Sequence, residues 1–150
     1  MDLENKPIVV GTDGSTRAER AVTKAGELAG LAGTRLHVVT GYAKELVDLV
    51  PHDLPARARD RLIAEVEATS NGMMRRKTQE WAARGVDVEY HMERGDPVSV
   101  LHKVARTIDA GLIVVGNRGI DRGLGLVGRS LPHRVSRHAP CDVLVVDTAA

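Results

Sequence analysis

Five apolar segments recur along the chain, each separated from the next by a longer segment of mixed polarity. They predict β-strands at Ile8–Val10, Thr34–Thr40, Val86–Met92, Gly111–Gly116 and Asp142–Asp147. The first and fourth are continuously apolar, which is typical of strands buried on both faces of a parallel sheet. The third alternates apolar and polar residues, as a half-buried strand does.

Helices are predicted between the strands, where apolar positions recur with helical spacing. They cover about Thr16–Ala32, about Ala56–Arg84, a segment that Asp96 caps and Pro97 opens, and Ser130–His138. This alternation predicts a doubly wound α/β fold, in which a five-stranded parallel sheet of order 3-2-1-4-5 carries helices on both faces. We interpret residues 1–150 as one domain of this kind. The stretch Gly41–Pro55 is predicted to be irregular.

Residues near the helix ends carry signals for where each helix starts and stops. Ser15 or Thr16 is the predicted cap of the first helix, and Thr16 with Glu19 has the spacing of a capping box. Gly33 is predicted to end that helix. In the second helix, Asn71-Gly72 predicts a kink or a break.

Composition narrows the classes of function. Hydrophobic residues make up 43% of the chain, aromatic residues only 2%, and phenylalanine is absent. The core is therefore predicted to be aliphatic, and an aromatic platform for nucleic-acid bases is disfavoured. The net charge of +1 confines any electrostatic attraction to local clusters. We predict no nucleic-acid partner.

Cysteine content and hydropathy indicate the compartment. The single cysteine, Cys141, cannot form an internal disulfide, which fits a reducing compartment. The first residues lack the layout of a signal peptide, and no apolar run reaches the ~20 residues of a membrane helix. These features predict a cytoplasmic protein with no membrane partner.

The histidines and the cysteine carry no motif for a metal site. None of the six histidines is paired with another histidine or a cysteine at the spacing of metal ligands. Core or surface roles are predicted for them. Cys141 is predicted to be a small buried residue.

The loop between the fourth strand and the last helix is rich in glycine and arginine. Its glycines are Gly116, Gly119, Gly123, Gly125 and Gly128. Glycines let backbone N–H groups approach phosphate oxygens, and a helix that begins at Ser130 offers further N–H groups. Between positions 118 and 137 there are also five arginines and one acidic residue. The loop is therefore predicted to bind an anion such as a nucleotide phosphate chain.

A second loop of unusual chemistry, Gly11-Thr12-Asp13-Gly14, follows the first strand. In open parallel sheets, ligands bind beyond the carboxyl ends of the strands, at the point where the strand order reverses. If strands 1 and 4 are neighbours, both loops face the same cleft.

Four motifs resemble those of the universal stress protein family, and together they span essentially the whole chain. They are VVGTDGS near the start, Gly95-Asp96-Pro97, LIVVGNRG on the fourth strand, and VSRHAPCDVLVV at the end. The resemblance implies the same doubly wound five-stranded fold. The nucleotide-binding branch of the family carries Gly-x2-Gly-x9-Gly-Ser/Thr, to which Gly116-x2-Gly119-x9-Arg129-Ser130 is similar. It implies ATP or a related adenine nucleotide as ligand, with or without Mg²⁺.

The chain departs from the family pattern at Arg129, which stands where the third glycine belongs. A loop one residue shorter would use Gly128, but Arg129 would then replace the hydroxyl residue. Ser130 is the better helix cap, which favours the first alignment. Arg129 either blocks the phosphate path with its bulk or pairs with a phosphate through its guanidinium group. The sequence leaves both roles open.

The resemblance also implies roles for other residues. Asp13 resembles the acid that lies near the ribose and the phosphate-bound metal, and its alternative is a helix cap. Val38 matches a residue whose backbone meets adenine, while its side chain is predicted to be core. The implied nucleotide-binding residues are Thr12, Asp13, Val38, Val115, Gly116, Arg118, Gly119, Arg129, Ser130 and Leu131. No catalytic residue and no metal ligand is assigned.

The last strand is the predicted partner surface. An apolar edge strand exposes unpaired backbone groups, which proteins usually cover. The family resemblance implies a homodimer in which this strand pairs antiparallel with its own copy. The implied interface residues are Val143, Leu144, Val145 and Val146. The alternative is that the chain's own terminus covers this edge. It is disfavoured because only four residues of the sequence follow Val146, which are few for covering a strand.

Three functions compete. The favoured one is a stress-responsive regulator that binds ATP or a related adenine nucleotide, a cyclic nucleotide included, with little or slow hydrolysis. The alternative is a dimeric interaction protein whose nucleotide site Arg129 has closed. A true nucleotide hydrolase would need a positioned base and a metal shell, for which Asp13 alone is thin support.

Overall fold

Strands and helices alternate along the part of the chain that the computed structural model describes, which is residues 3–42, 50–117 and 130–149. The strands are β1 (Ile8–Gly11), β2 (Leu36–Tyr42), β3 (Val88–Arg94), β4 (Leu112–Gly116) and β5 (Asp142–Val146). The helices are α1 (Thr16–Ala32), α2 (Ala56–Ala83), α3 (Pro97–Thr107) and α4 (Leu131–Arg137). The predicted alternation is therefore confirmed.

All five strands are parallel and form one sheet in the order β3-β2-β1-β4-β5. The predicted order is confirmed. β1 lies in the centre, where Val10 pairs with Val38 of β2 on one side and with Val114 of β4 on the other. The chain winds outward from β1 through β2 to β3, and then returns to β4 and β5. The strand order therefore reverses between β1 and β4.

Alternate residues of the strands face opposite layers of helices, because successive side chains of a strand point to opposite faces. One layer of the core joins the strands to α3 and α4, and includes Val9, Val39, Leu101, Ile113, Val115 and Val135. The other joins them to α1 and includes Ile8, Val10, Ala21, Ala25, Val38 and Val114, with Trp81 of α2 packed against it. Both buried clusters are aliphatic, as the composition predicts.

Helix α1 packs closely against α2 at one glycine. A Cβ atom added to Gly26 would lie 2.6 Å from Cη2 of Trp81, so no side chain fits there without a shift of the indole ring. The face of α1 that contacts the sheet is built from alanines, since Ala18, Ala21, Ala25 and Ala29 are all buried. Small residues on this helix let it approach both the sheet and the indole ring.

The structure decides between alternatives that the sequence leaves open at two places on the helices. Ser15, not Thr16, caps α1, because its hydroxyl accepts a hydrogen bond from the N–H of Ala18 and its backbone is extended. The proposed capping box of Thr16 and Glu19 is therefore not formed. The helix α2 runs without interruption through Gly72, so Asn71-Gly72 does not break it.

Other predicted ends are confirmed. Gly33 ends α1 in the left-handed conformation, with φ of 63°. The side chain of Asp96 caps α3 by accepting a hydrogen bond from the N–H of Ser99. The strand β2 extends two residues beyond its predicted end, to Tyr42, and residues 43–49 of the predicted irregular stretch lie outside the described ranges.

Candidate functional site

The carboxyl ends of β1 and β4 lie side by side at one edge of the sheet. Ile8 pairs with Leu112 and Val10 with Val114 in a parallel register, so the turn after Gly11 and the loop after Gly116 start as neighbours. This is where the strand order reverses and where ligands bind in folds of this class. The two loops that the sequence singles out therefore begin at the same edge.

The turn after β1 is held by its own side chains. The hydroxyl of Thr12 accepts a hydrogen bond from the N–H of Gly14 at 3.1 Å, and the carboxylate of Asp13 accepts one from the N–H of Ser15 at 2.8 Å. Gly14 adopts a positive φ of 79°. Because Ser15 is the cap of α1, Asp13 supports the cap residue instead of capping the helix itself. Asp13 is an exposed residue at this edge of the sheet.

A short chain of hydroxyl groups fixes the main chain of Thr12 from the β2 side. The hydroxyl of Thr40 donates to the carbonyl oxygen of Thr12 at 3.0 Å, and the hydroxyl of Tyr90 on β3 donates to that of Thr40 at 3.0 Å. The N–H of Thr12 bonds to the carbonyl oxygen of Val39. Burial raises the pKa of Tyr90, and the hydrogen bond to Thr40 opposes that rise. Three strands thus position the turn.

The end of β4 is held by the segment that follows β5. The side-chain amide of Asn117 donates a hydrogen bond to the carboxylate of Asp147. The side-chain oxygen of Asn117 accepts hydrogen bonds from the N–H and the hydroxyl of Thr148. Thr148 is 1% exposed and packs against Gly116. The carbonyl oxygen of Ala149 accepts a hydrogen bond from Arg20 of α1. Gly116, predicted as a nucleotide contact, therefore also has a packing reason to be glycine.

The Gly-Asp-Pro motif ties the start of α3 to α4. The carboxylate of Asp96 accepts hydrogen bonds from Ser99 of its own helix and from Nη2 of Arg134 at 3.0 Å. Burial raises the pKa of Asp96, but the hydrogen bonds from Arg134 and Ser99 outweigh it, so the net pKa lies below the ordinary value. At Gly41, a Cβ atom would lie 2.7 Å from Cα of Pro97, so β2 also meets this motif closely.

Helix α4 begins at the end of the glycine-rich loop, as predicted. The hydroxyl of Ser130 accepts a hydrogen bond from the N–H of His133 at 3.4 Å, which confirms Ser130 as the helix cap. Leu131 is partly buried and packs against the core cluster under α3. The pair Asp96–Arg134 ties α4 to the start of α3.

Predicted site residues on the strands are buried. Val38 is 3% and Val115 0% exposed, so any contact with a ligand would come from their main-chain atoms. Arg118, Gly119 and Arg129 lie outside the described residues. Their assigned roles stay predictions.

The strand β5 is an edge of the sheet, and its predicted interface residues differ in exposure. Val143, Leu144 and Val146 are partly buried against the two core clusters, whereas Val145 is 46% exposed. The residues after Val146 bond toward Asn117 and Arg20. Among the described residues, no strand pairs with the outer side of β5.

Two histidines that are far apart in the sequence, and for which no pairing is predicted, lie in contact. Nδ1 of His37 on β2 and Nε2 of His91 on β3 are 2.8 Å apart, and the rings stack with centroids 5.1 Å apart. Burial, and then the charge of His91, lower the pKa of His37. Strand register brings these residues together from positions far apart in the chain, so sequence spacing gave no signal for the pair.

Cys141 differs slightly from its prediction. It is only partly buried, at the start of β5, where it packs against the core cluster under α3. Burial, and then the charge of Asp142, raise the pKa of its thiol. A raised pKa disfavours the reactive thiolate.

Comparison with known proteins places the chain among relatives that match nearly all of it. A sequence model of the universal stress protein family matches residues 4–147. A universal stress protein of Mycobacterium tuberculosis is 36% identical over 149 residues, which cover 95% of this chain and 97% of that protein. Within the described ranges, no helix is long and apolar enough to cross a membrane.

Solved structures show the same fold. A universal stress protein in complex with cAMP is 30% identical, with a TM-score of 0.73 over 97% of this chain and 99% of that one. A universal stress protein of Archaeoglobus fulgidus in complex with dAMP is 28% identical, with a TM-score of 0.61 over 96% of this chain and 99% of that one.

Proposed function

The chain belongs to the universal stress protein family, and we propose that it is a stress-responsive regulatory protein that binds an adenine nucleotide. The observation that carries the proposal is the position of the β1–α1 turn beside the end of β4, where the strand order reverses. The two solved relatives that bind cAMP and dAMP support adenine as the base. We propose ATP, alone or with Mg²⁺, as the ligand. We also propose that the protein is cytoplasmic and consists of a single domain.

Hydrogen bonds among the described residues preorganise one part of the proposed nucleotide site. The main chain of Thr12 is held by Val39 and Thr40, so its groups do not have to be ordered when a ligand binds. The hydroxyl of Ser130 caps α4 where the glycine-rich loop ends in the sequence. The segment that joins β4 to α4 contains Gly119 and Arg129, the predicted phosphate contacts.

Little or slow hydrolysis is expected from the environment of Asp13. Hydrolysis requires a base positioned for water and a metal shell. The carboxylate of Asp13 accepts a hydrogen bond from the N–H of Ser15 and lies on an exposed residue, which suits a ribose or metal contact better than an isolated base. If Asp13→Ala abolished a measurable turnover while binding persisted, this expectation would be wrong.

A calorimetric titration tests the proposal. Purified protein is titrated with Mg-ATP, and then with cAMP and AMP, beside the variants Arg129→Gly, Ser130→Ala and Arg122→Gly. We expect the native protein to bind, Ser130→Ala to weaken binding, and Arg122→Gly, a charge-matched control in the same loop, to change it little. If none of the adenine nucleotides binds the native protein or Arg129→Gly, the proposal is wrong.

The same titration decides the alternative function. Binding by Arg129→Gly alone would mean that the arginine closes the site and that the native chain is a dimeric interaction protein. The exposed outer edge of β5, with Val145 46% exposed, favours a self-associating surface in either case. We propose an antiparallel pairing of β5 with its own copy across a two-fold axis.

A further inference from the structure

A cluster of potential metal ligands lies where β2 and β3 pair. The parallel register sets His37 opposite Glu89 and Val39 opposite His91. Because alternate residues of a strand share a face, His37, Glu89 and His91 all point to the same side of the sheet. Their convergence thus follows from the backbone pairing of two strands and not from a flexible loop.

The donor atoms of this cluster converge on one small space. Nδ1 of His37 lies 2.8 Å from Nε2 of His91. The carboxylate of Glu89 reaches both rings, with one oxygen 3.9 Å from Nδ1 of His37 and the other 3.8 Å from Nε2 of His91. One ligand atom from each residue can be chosen so that all three lie within 4.8 Å of one another.

We propose that His37, Glu89 and His91 form a binding site for a divalent first-row transition metal ion, of which Zn²⁺ is the representative. Two imidazole nitrogens and one carboxylate are a donor set that such ions prefer. The side chain of Glu89 is 50% exposed and that of His37 is 6% exposed, so the site opens to solvent on the carboxylate side. The remaining coordination positions would be taken by water.

The geometry requires a modest adjustment to admit an ion. Two nitrogens that each lie about 2.0–2.1 Å from a tetrahedral zinc are about 3.3 Å apart, so the imidazole pair has to open by about 0.5 Å. The hydrogen that bridges the two rings in the metal-free pair moves to the other nitrogen of its ring, which frees both lone pairs for the ion. His91, with its side chain 19% exposed, is the ring with room to move.

Arg35 is the neighbour that opposes a cation at this site. Its guanidinium group bonds to Asp87 at 2.7 Å and lies 3.5 Å from an oxygen of Glu89. The contact with Asp87 partly neutralises the arginine and holds it at the edge of the cluster. We therefore expect moderate, exchangeable affinity instead of a permanent structural metal.

The site is distinct from the proposed nucleotide cleft. His37 pairs with Val9, whereas the cleft begins beyond Gly11 and Thr40 at the carboxyl edge of the sheet. Three residues of a strand span about 10 Å, so His37 lies about 10 Å from that edge, whereas His91, opposite Val39, lies nearer to it. The two sites use different side chains, so metal binding and nucleotide binding are tested separately.

Zinc titration of the chelator-treated full chain tests the inference. The variants His91→Gln and Glu89→Gln are compared with His133→Gln, a histidine control on the exposed part of α4, and with Cys141→Ser, which removes the only thiol of the sequence. We expect one zinc equivalent per native chain, at least about tenfold weaker binding in the two cluster variants, and unchanged binding in both controls.

Two further readouts guard against misfolding. Co²⁺ substitution should give visible absorption bands of a tetrahedral or five-coordinate ion in the native chain and in His133→Gln but not in His91→Gln. Zinc should raise the midpoint of thermal unfolding in the same proteins. Glu89→Gln changes a half-exposed side chain and keeps the test open if His91→Gln does not fold. The inference is overturned if the native chain takes up no zinc, if both cluster variants bind like the native chain, or if either control loses binding equally.

Discussion

The methyl group of Thr148 fills the space that a side chain on Gly116 would need, because an added Cβ atom would lie 2.6 Å from Cγ2 of Thr148. Thr148 is held there by Asn117, whose side-chain oxygen accepts hydrogen bonds from its N–H and its hydroxyl, each at 3.0 Å. The first glycine of the loop motif is thus required by the fold before any ligand is considered.

Gly116→Ala should destabilise the protein by about 1–3 kcal/mol, the usual cost of an overpacked core site. Thr148→Ser removes the methyl group but keeps the hydroxyl that bonds to Asn117, so it should restore part of the loss when combined with Gly116→Ala. Urea unfolding of both single variants and the double variant measures the coupling. Strictly additive effects would contradict the packing role assigned to Thr148.

Gly26→Ala tests the contact between α1 and α2. Alanine favours a helix over glycine by about 1 kcal/mol, yet we expect net destabilisation, because the added carbon would meet three ring atoms of Trp81 at 2.6–2.7 Å. Gly72→Ala in α2 is the matched control, since no described atom lies within 4 Å of its added carbon. That control should be neutral or stabilising. The midpoint of thermal unfolding should fall for Gly26→Ala and stay the same or rise for Gly72→Ala.

Thr40→Val should weaken nucleotide binding through the turn after β1. The substitution removes the donor to the carbonyl oxygen of Thr12 and the acceptor for Tyr90. We expect a loss of about 1–3 kcal/mol in the free energy of unfolding and a lower nucleotide affinity. Tyr90→Phe is the control, because it leaves the bond between Thr40 and Thr12 intact. Equal losses of affinity in the two variants would show that the Thr12 carbonyl is not the group that matters.

The stability of the protein should depend on the protonation of Asp96 in acid. Because the folded pKa of Asp96 lies below its unfolded value, its contribution is complete above about pH 4 and is lost as the pH falls through the folded pKa. Asp96→Asn keeps a good helix cap but removes the charge, so it should cost less than about 1 kcal/mol at neutral pH and nothing at low pH.

Arg134→Gln serves as the partner variant for Asp96. In that background the pH dependence of the Asp96→Asn effect should shrink, although the hydrogen bonds from Ser99 should preserve part of it. The measurement is the free energy of unfolding at a series of pH values from 3 to 7. An unchanged dependence would mean that Arg134 does not set the pKa of Asp96.

Val145→Lys should abolish self-association if β5 is the dimer interface. A lysine on an exposed edge strand places like charges opposite each other across a two-fold axis. Leu31→Lys is the control, because Leu31 is an 87% exposed apolar residue on α1 and is not part of β5. Sedimentation velocity should report a dimer for the native chain and Leu31→Lys, and a monomer for Val145→Lys. If the native chain is a monomer, the proposed dimer through β5 is wrong.

Much of the fold could be predicted because its signals are local. Continuous apolar runs mark the buried central strands, and Gly33, Asp96 and Ser130 end or cap helices by chemistry that their own neighbours supply. The alternation of strands and helices then leaves few topologies open. The adjacent carboxyl ends of β1 and β4 follow from the topology.

Local chemistry leaves two choices on the helices open. Ser15 and Thr16 both carry a hydroxyl, and only the extended backbone at Ser15 decides which one caps α1. A glycine such as Gly72 lowers the stability of a helix by only about 1 kcal/mol relative to alanine, and the 28-residue helix α2 forms in spite of it.

Contacts that depend on tertiary structure could not be predicted. The bond of Asp96 to Arg134 joins two helices, and the contact of His37 with His91 depends on the register of β2 against β3. Neither pair has a characteristic spacing in the sequence. The nucleotide roles of Arg118, Gly119 and Arg129 depend on residues outside the described ranges.

Because β1 is the central strand, its two neighbouring strands are synthesised at different times. Val10 pairs early in the chain with Val38, but its other partner, Val114, is synthesised about 100 residues later. At a ribosomal rate of about 5–20 residues per second, one edge of β1 stays open for about 5–20 seconds. During that interval β1 lacks one of the two strands that cover its backbone, and an unpaired apolar strand edge is prone to pair with other chains.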